Sequence, residues 1–206
     1  KLQRMVSYLN GSLSYRQIGF VGDPLDKLYI GLFSDADFAG DRKDFKSTTG
    51  IYAVLMGPNT FFPIGAVSKK QTVCSHSTVE AEIVAAYAAM RSTGIPLLDL
   101  WETLMGRKPD IYLFEDNQAT LRIIQTGKYP TLRHVRRMHG VSISWLHDAF
   151  VDNHFKVWDC DTNYQAADIF TKHFTDVRKW RHALDLIGVV YDPILLRSLN
   201  SSLVDT

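Results

Sequence analysis

Four acidic residues stand at positions from which their carboxylates could act on one substrate. Asp35 and Asp116 each follow a short apolar run with the length of a buried strand. Glu82 and Asp168 lie in the first turns of two predicted helices. Because sites in open α/β sheets form at the carboxyl ends of strands, two strand-end aspartates and two helical carboxylates can converge there.

A compact group of carboxylates has to be neutralised. Like charges at close range repel and raise one another's pKa values. A hard divalent cation removes that repulsion, and all-oxygen ligands favour Mg²⁺ or Mn²⁺ over Zn²⁺. Two such ions about 4 Å apart can activate water and stabilise the leaving oxygen in phosphodiester hydrolysis. Each residue alone also suits a turn, a cap or a helix dipole, so the hypothesis rests on the set.

Spacing leaves two of these assignments open. Asp35 and Asp37 are two residues apart, so on a strand their side chains share a face. Glu80 and Glu82 are separated by about 200° around a helix, so one of them can point into the site. Neither pattern selects a member of its pair.

The surrounding chain predicts an α/β fold. Apolar runs predict strands at 28–33, 51–56, 60–68, 111–114 and 155–158. Helical spacing predicts helices over 2–9, from 78 to 105 with an interruption at 94–96, up to 124, and over 134–150, 164–174 and 177–187. Three consecutive strands followed by alternation indicate a five-stranded mixed sheet, three strands antiparallel and the later ones parallel, flanked by helices.

Local charge is more informative than the formal net charge of +1. Acidic residues gather at 34–41, and basic residues gather at 69–70, 133–137 and 178–181. Such a chain can hold cations at one place and phosphates at others. Two cysteines without metal-binding spacing argue against a zinc site or a disulfide framework. No apolar run is long enough to span a bilayer, and the first residues do not form a signal peptide, so no membrane partner is expected.

Six motifs occur in order: SDADFAGD, KSTTG, SKKQ, STVEAEIVAAYAA, EDNQAT and YQAADIFTK. As an ordered set they resemble the ribonuclease H region of copia-type LTR retrotransposon polyproteins, over roughly residues 2–188. The opening KLQRMVSYLNG resembles the end of the connection segment that follows the polymerase. The expected division is a connection end at 1–24, a ribonuclease H domain at 25–190 and a tail at 191–206.

The resemblance implies a role for each carboxylate. Asp35, Glu82, Asp116 and Asp168 match the family's metal-binding catalytic residues. The implied activity is hydrolysis of the RNA strand of RNA–DNA hybrids with two Mg²⁺ ions, for which Mn²⁺ can substitute, leaving 3′-hydroxyl and 5′-phosphate ends. In this scheme Asp35 and Asp116 share the water-activating metal, and Asp35, Glu82 and Asp168 hold the other. The implied fold is the five-stranded ribonuclease H-like sheet.

Contacts with substrate carry over less directly. The expected set is Ser77, Thr78, Asn117, Gln118, Lys69, Lys70, Arg133 and Arg136. Hydroxyl and amide groups suit phosphates and 2′-hydroxyls, and basic residues suit phosphates. Helix capping is the alternative explanation for the hydroxyl and amide residues.

Two departures from the family pattern concern neighbouring segments. Phe38 stands where the family usually has tryptophan. Met138-His139-Gly140 replaces a frequent Lys-His-Ile run, which puts in doubt the assistance in product release for which His134 and His139 are candidates. An ordinary surface or helix-end histidine is the alternative.

The resemblance also implies partners and a place in the cell. The expected partners are an RNA–DNA hybrid and the polymerase portion of the same polyprotein, in cytoplasmic retrotransposon particles. One alternative function is a non-catalytic, hybrid-binding or structural module, including a host-adopted remnant. Another is a related nuclease such as an integrase or junction resolvase, because these share the fold and the carboxylates.

Overall fold

The computed structural model describes residues 2–41, 43–151 and 154–191. Its strands are β1 (Arg16–Gln17), β2 (Tyr29–Asp37), β3 (Thr48–Gly57), β4 (Thr60–Lys70), β5 (Ile111–Glu115), β6 (Phe155–Asp159) and β7 (Val189–Val190). Its α-helices are α1 (Leu2–Gly11), α2 (Thr78–Ala89), α3 (Ile95–Met105), α4 (Gln118–Thr126), α5 (Val135–His139), α6 (Ile143–Val151) and α7 (Val177–Leu186).

Five strands form one mixed sheet in the order β4-β3-β2-β5-β6. The pairs β2–β3 and β3–β4 are antiparallel, whereas β5 runs parallel to β2 and β6 runs parallel to β5. The predicted fold class is confirmed. Because β2 and β5 are parallel neighbours, their carboxyl ends meet at the same edge of the sheet.

One face of the sheet packs against α2, α4 and α6. On β2, Ile30 and Leu32 point to this face and are fully buried, as the two-residue period of a strand requires. Ile83 of α2 and Leu146 of α6 are equally inaccessible and belong to the same core. This core fixes where α2 starts relative to β2.

The opposite face packs against a short 3₁₀ helix, Ala166–Phe170, and the end of α7. The fully buried Tyr52 of β3 donates its hydroxyl proton to the carbonyl of Ile187 at 3.2 Å. At Gly50, an added Cβ would lie 2.6 Å from Thr171 Cγ2 and 2.8 Å from the carbonyl oxygen of Ala167. The absence of a side chain at Gly50 therefore lets the 3₁₀ segment approach the sheet.

The helical region that starts at Thr78 continues where an interruption was predicted. A π-helical turn, Met90–Gly94, joins α2 directly to α3. Pro96 lies in the first turn of α3, where a proline has no obligatory amide partner, and the wider turn before it accommodates the ring. The prediction of a break at 94–96 was therefore wrong.

Two predicted helices differ from the structure. The region 134–150 contains two helices, because Gly140 adopts a left-handed φ of 68° and ends α5. The region 164–174 is not an α-helix: Asp168 lies in the 3₁₀ helix Ala166–Phe170. Local side-chain bonds favour these short turns, since Asp161 accepts a bond from the amide of Asn163 and Gln165 accepts one from the amide of Ala167.

The first residues associate with the end of the described chain. β1 pairs with β7 antiparallel, and the amide of Ile18 donates to the carbonyl of Gly188 at 2.8 Å. The expected boundaries near residues 24 and 190 remain predictions, and positions 192–206 lie outside the described residues. Within the described part, no helix has the length and apolar character needed to cross a membrane.

Candidate active site

Asp35 lies inside β2, opposite Gly50 of β3. Its side chain is almost fully buried, since the residue is 1% exposed. Its Oδ2 accepts a bond from the hydroxyl of Thr171, and its Oδ1 lies 3.5 Å from Lys172 Nζ. Asp35, rather than the half-buried Asp37 at the strand end, thus contacts the segment that follows the 3₁₀ helix through its carboxylate.

Glu82 is buried on α2 without a hydrogen-bond partner for Oε2 among the described residues. Burial, and after it the charges of Glu115, Asp35 and Asp116, together raise its pKa to about 10. A carboxylate in this position is uncompensated unless it is protonated or binds a cation.

Asp116 directly follows β5, and register places it beside the end of β2, because Phe33 and Phe114 are paired. Its charge contributes to the raised pKa of Glu82 and of Asp168. Asp116 therefore interacts through its charge with Glu82 and Asp168, and the convergence of all four carboxylates on a metal stays a prediction.

Asp168 lies on the 3₁₀ helix that packs on β3. Its pKa is raised to about 6, because burial and the charge of Asp35 outweigh the lowering effect of the hydrogen bond from Lys172. Lys172 Nζ donates to Asp168 Oδ1 at 2.6 Å. A single lysine side chain thus lies between Asp168 and Asp35.

The donor set fits a hard cation in its chemistry. All four predicted ligands present carboxylate oxygens, and the unpartnered buried Glu82 Oε2 is a vacant donor. Among residues 2–41, 43–151 and 154–191, however, no three or more His, Cys, Asp or Glu side chains are close enough together to hold an ion. Lys172 provides positive charge at this edge, so a metal would have to compete with its ammonium group.

A fifth carboxylate was missed by the sequence reasoning. Glu115 is fully buried, and burial raises its pKa well above the usual range. Its Oε2 accepts from Ser34 Oγ at 3.1 Å, and its Oε1 accepts from the amide of Asn117 at 3.2 Å. Strand alternation could have revealed it, because Glu115 shares the buried face of β5 with Ile111 and Leu113.

Glu80 faces a different group of residues from Glu82. It is fully buried, and its carboxylate binds His139 Nε2 at 2.8 Å, His134 Nε2 at 3.1 Å and the amide of His76 at 3.0 Å. Burial favours a raised pKa for Glu80, but these hydrogen bonds keep it below the usual value. Both candidate product-release histidines are thus bound to Glu80, and that role remains a prediction.

The predicted hydroxyl and amide contacts are in part helix caps. Ser77 Oγ accepts from the amide of Glu80 at 3.1 Å, and Asn117 Oδ1 accepts from the amide of Thr120 at 3.0 Å. Thr78 is exposed in the first turn of α2. Gln118 Nε2 donates to Asp159 Oδ1 at 2.7 Å. The capping alternative is present in the structure, and a role in substrate binding stays a prediction.

The predicted basic contacts differ in their surroundings. Lys69 is exposed, whereas Lys70 Nζ binds Asp41 at 2.6 Å and Asp44 at 2.8 Å. Lys70 thus forms ion pairs with two residues of the loop that follows β2. Arg133 and Arg136 line an open cavity of about 690 Å³. Binding of phosphate by these two arginines stays a prediction.

The strand order and directions, with an antiparallel trio extended by two parallel strands, define a ribonuclease H-like fold. Among solved structures, ribonuclease H1 from the halophilic archaeon Halobacterium salinarum NRC-1 is 16% identical, with 76% of this chain and 98% of that chain covered and a TM-score of 0.47. LC11-RNase H1, isolated from compost by a metagenomic approach, is 17% identical, with 69% and 92% covered and a TM-score of 0.45.

The sequence relatives are more specific. The retrovirus-related Pol polyprotein from transposon TNT 1-94 of Nicotiana tabacum is 30% identical over 171 residues, which cover 81% of this chain and 12% of that protein. The transposon Ty1-NL2 Gag-Pol polyprotein of Saccharomyces cerevisiae is 30% identical over 177 residues, which cover 78% and 9%. No family model matches the chain. The chain is a homologue of Ty1/copia retrotransposon Pol polyproteins and spans about a tenth of their length.

Proposed function

We propose that this chain hydrolyses the RNA strand of RNA–DNA hybrids, as the ribonuclease H segment of a retrotransposon Pol protein. The observation that carries the proposal is the group of acidic side chains at one edge of the sheet. Lys172 lies between Asp35 and Asp168, and Asp116 follows the strand that runs beside Asp35. Glu82 Oε2 is buried without a hydrogen-bond partner among the described residues. Homology with retrotransposon Pol polyproteins supports the proposal, since reverse transcription produces such hybrids.

The four carboxylates would hold two Mg²⁺ ions, for which Mn²⁺ can substitute. When bound, the ions supply an activated water and stabilisation of the leaving 3′ oxygen, so no protein side chain has to act as general base. Because Glu82 Oε2 is buried and unpartnered, it gains the most from a cation.

The chain's own residues would prepare this edge. Thr171 and Lys172 bind Asp35 from the end of the 3₁₀ segment and restrict the rotation of its carboxylate. Lys172 also binds Asp168, so it holds the negative charges together when no metal is bound. Lys172 would leave Asp168 when a metal ion binds, because one carboxylate oxygen cannot bind the ammonium group and the metal ion equally well.

Binding of the hybrid would extend beyond the carboxylates. Asn117 and Gln118 follow Asp116 directly, and their amides suit 2′-hydroxyls and phosphates. Arg133 and Arg136 would bind backbone phosphates, and the affinity would fall as salt rises. The polymerase portion of a longer Pol chain would add further contacts, in retrotransposon particles of the cytoplasm.

The direct test is cleavage of a hybrid labelled separately on each strand, in Mn²⁺ and in Mg²⁺. The expected result is cutting of the RNA strand alone, with single-stranded RNA and duplex DNA left intact. Cutting of duplex DNA would instead identify an integrase-like or resolvase-like nuclease. Products carrying 3′-phosphate ends would contradict the proposed chemistry.

A non-catalytic, hybrid-binding module is the second candidate. The observation that favours it is Lys172, which already compensates Asp168 and Asp35 without an added cation. Binding of hybrid by the wild-type chain, with no cleavage in either metal and none after addition of the polymerase portion, would establish this function instead.

A further inference from the structure

A second cavity adjoins the edge of the sheet at which Asp35, Glu82, Asp116 and Asp168 lie, which we call the carboxylate edge. It has a volume of about 350 Å³, and Asp168 forms part of its wall. Residues of α7 (the α7 wall) and residues just before the 3₁₀ helix (the floor) also line it, and Phe174, Ala183 and Leu186 add apolar surface. The polar and charged lining residues are Thr162, Asn163, Gln165, Arg178, Lys179 and His182.

The α7 wall of this cavity is cationic. Arg178 has a side chain 92% exposed and lies 3.7 Å from Asp176, so most of its guanidinium donors face solvent. Lys179 forms no ion pair within the part of the chain that the structure describes. One turn further on, His182 Nε2 lies 2.6 Å from the carbonyl oxygen of Asn163, which ties α7 to the floor.

These cations do not stabilise the helix on which they lie. Arg178 and Lys179 occupy the first turn of α7, where the helix dipole favours acidic residues and disfavours basic ones. Their charge, which only the Asp176 carboxylate near Arg178 compensates among the described ion pairs, therefore needs another explanation, and the cavity beside Asp168 supplies it.

We propose that the cavity is a subsite for a backbone phosphate of the cut strand, next to the phosphate that is hydrolysed. This inference rests on the proposed function. A strand whose scissile phosphate lies at the carboxylates passes Asp168, and its next phosphate meets the α7 wall. Arg178 and Lys179 supply the positive charge, and Thr162 and Asn163 supply small polar groups.

The test compares two variants with the same change in net charge. R178Q/K179Q removes the cations of the cavity. K27Q/K108Q removes two exposed lysines that precede β2 and β5, at the opposite edge of the sheet from the carboxylates. Binding of a labelled hybrid is followed by fluorescence anisotropy in EDTA, at several salt concentrations, so that no strand is cut. Thermal unfolding checks that both variants remain folded.

The expected result is a slope of log affinity against log salt that is shallower by about 1 to 2 in R178Q/K179Q, because each lost phosphate contact removes about one counterion. The K27Q/K108Q slope should stay near that of the wild type. An equal change in the two variants, an unchanged slope in R178Q/K179Q, or no binding of hybrid by the wild type would each overturn the subsite.

The same variants separate failure of the subsite from failure of the proposed function. With Mn²⁺ present, R178Q/K179Q should raise KM for hybrid and leave kcat near the wild-type value. Wild-type cleavage with matching slopes in both variants would leave the function standing and remove the subsite. The expected slope difference without wild-type cleavage would keep the subsite and remove the nuclease activity.

Discussion

Lys172 occupies the centre of the carboxylate edge. Its Nζ lies 2.6 Å from Asp168 Oδ1 and 3.5 Å from Asp35 Oδ1. Burial acts to lower its pKa, but the charges of Asp35 and Asp168 outweigh burial and raise it. The lysine is therefore a charged internal counterion that stands where a metal would supply charge.

Replacing Lys172 by methionine should make the fold more dependent on metal. In EDTA we expect a loss of about 1 kcal/mol in the free energy of unfolding, because the partly exposed ion pairs are screened. Added Mn²⁺ should raise Tm more in this variant than in the wild type, because the ion meets no competing ammonium. Differential scanning calorimetry with and without Mn²⁺ measures both effects.

The matched control is Lys156→Met, which removes a lysine 2.5 Å from Asp110 at the other end of β5. Its response to Mn²⁺ should equal that of the wild type. An equal response in the two lysine variants would show that Lys172 does not occupy the cation position.

Asp168 predicts a pH dependence of stability in the metal-free chain. Its folded pKa of about 6 lies above the usual value of 3.8 for an exposed aspartate. The folded state thus binds this proton more tightly, so the contribution is fully present below about pH 4 and is lost as the pH rises through about 6. Asp168→Asn should therefore lose less stability than the wild type between pH 4 and pH 7.

The difference should be roughly 1 to 3 kcal/mol, since one pKa unit corresponds to about 1.4 kcal/mol. Urea unfolding in EDTA at pH 4, 5, 6 and 7 measures it, with the exposed Asp148→Asn as the control. Parallel pH profiles for the wild type and Asp168→Asn would refute the raised pKa.

The sequence predicted which acidic residues form the candidate site, but not which residues their side chains contact. The two-residue period of a strand gives Asp35 and Asp37 the same face, so their different contacts depend on where the 3₁₀ segment packs. Only tertiary contacts distinguish the role of Glu80 from that of Glu82, because two histidines from a distant segment bind Glu80.

Among the elements, β3 and the 3₁₀ helix set the position of Asp168. Gly50 permits their close approach, since an added Cβ would lie within 3 Å of both Thr171 and Ala167. Gly50→Ala should push this segment outward and destabilise the fold by roughly 1 to 3 kcal/mol. Cleavage of hybrid should fall even at temperatures where the variant is folded, because Asp168 moves with the segment.

Gly65→Ala on β4 is the control, because nothing lies within 4 Å of its added Cβ. Urea unfolding and hybrid cleavage are measured on both variants. If Gly50→Ala behaves like Gly65→Ala, the close packing of the 3₁₀ helix on β3 is not what places Asp168.

Glu80 links α2 to the segment that carries Arg133 and Arg136. Glu80→Gln keeps the shape of the side chain but loses the charge-assisted bonds to His134 and His139. We expect a loss of about 1 to 3 kcal/mol in the free energy of unfolding, because a fully buried hydrogen-bonding site becomes mismatched. Denaturant titration measures it.

The control is Glu102→Gln, which alters an exposed residue 3.7 Å from Lys108. It should change stability by no more than about 0.5 kcal/mol. Equal stability of Glu80→Gln and Glu102→Gln would mean that the histidine contacts contribute nothing to the fold.

The strands β2, β3 and β5 were predictable because their apolar residues occupy buried positions, although β2 extends to Asp37 and includes Asp35. The helix boundaries were less so. The continuation through residues 90–94 depends on a π turn, and the 3₁₀ helix at 166–170 depends on local side-chain bonds that no apolar period reveals. The carboxylate that the sequence placed on an α-helix is therefore held by a shorter element.

In the whole molecule, the mixed sheet separates two hydrophobic cores, one on each of its faces. The helices α2, α4 and α6 cover one face, and the 3₁₀ helix and α7 cover the other. Carboxylates reach the carboxyl edge of β2 and β5 from both faces, Glu82 from one and Asp168 from the other. The fold class and the convergence were expected from the order of the elements, whereas the face from which each of Glu82 and Asp168 approaches required the tertiary structure.

The distribution of charge over the molecule is likewise more informative than the formal net charge of +1. Arg133 and Arg136 line one cavity, and Arg178 and Lys179 line another that contains Asp168. A nucleic acid bound across the carboxylate edge would meet cations from two separate segments. Affinity for hybrid should thus depend on salt despite the small net charge.

The most direct test of the account compares two isosteric substitutions at the ends of adjacent parallel strands. Asp116→Asn changes a residue of the carboxylate edge, and Asp159→Asn changes the last residue of β6, which binds Gln118. Cleavage of the RNA strand of a hybrid in Mn²⁺ is measured for both, beside the wild type. The account predicts a fall of more than about 100-fold for Asp116→Asn, because a direct metal ligand matters more than an outer contact, and near-normal turnover for Asp159→Asn. Undiminished cleavage by a folded Asp116→Asn variant would contradict the assignment of the site.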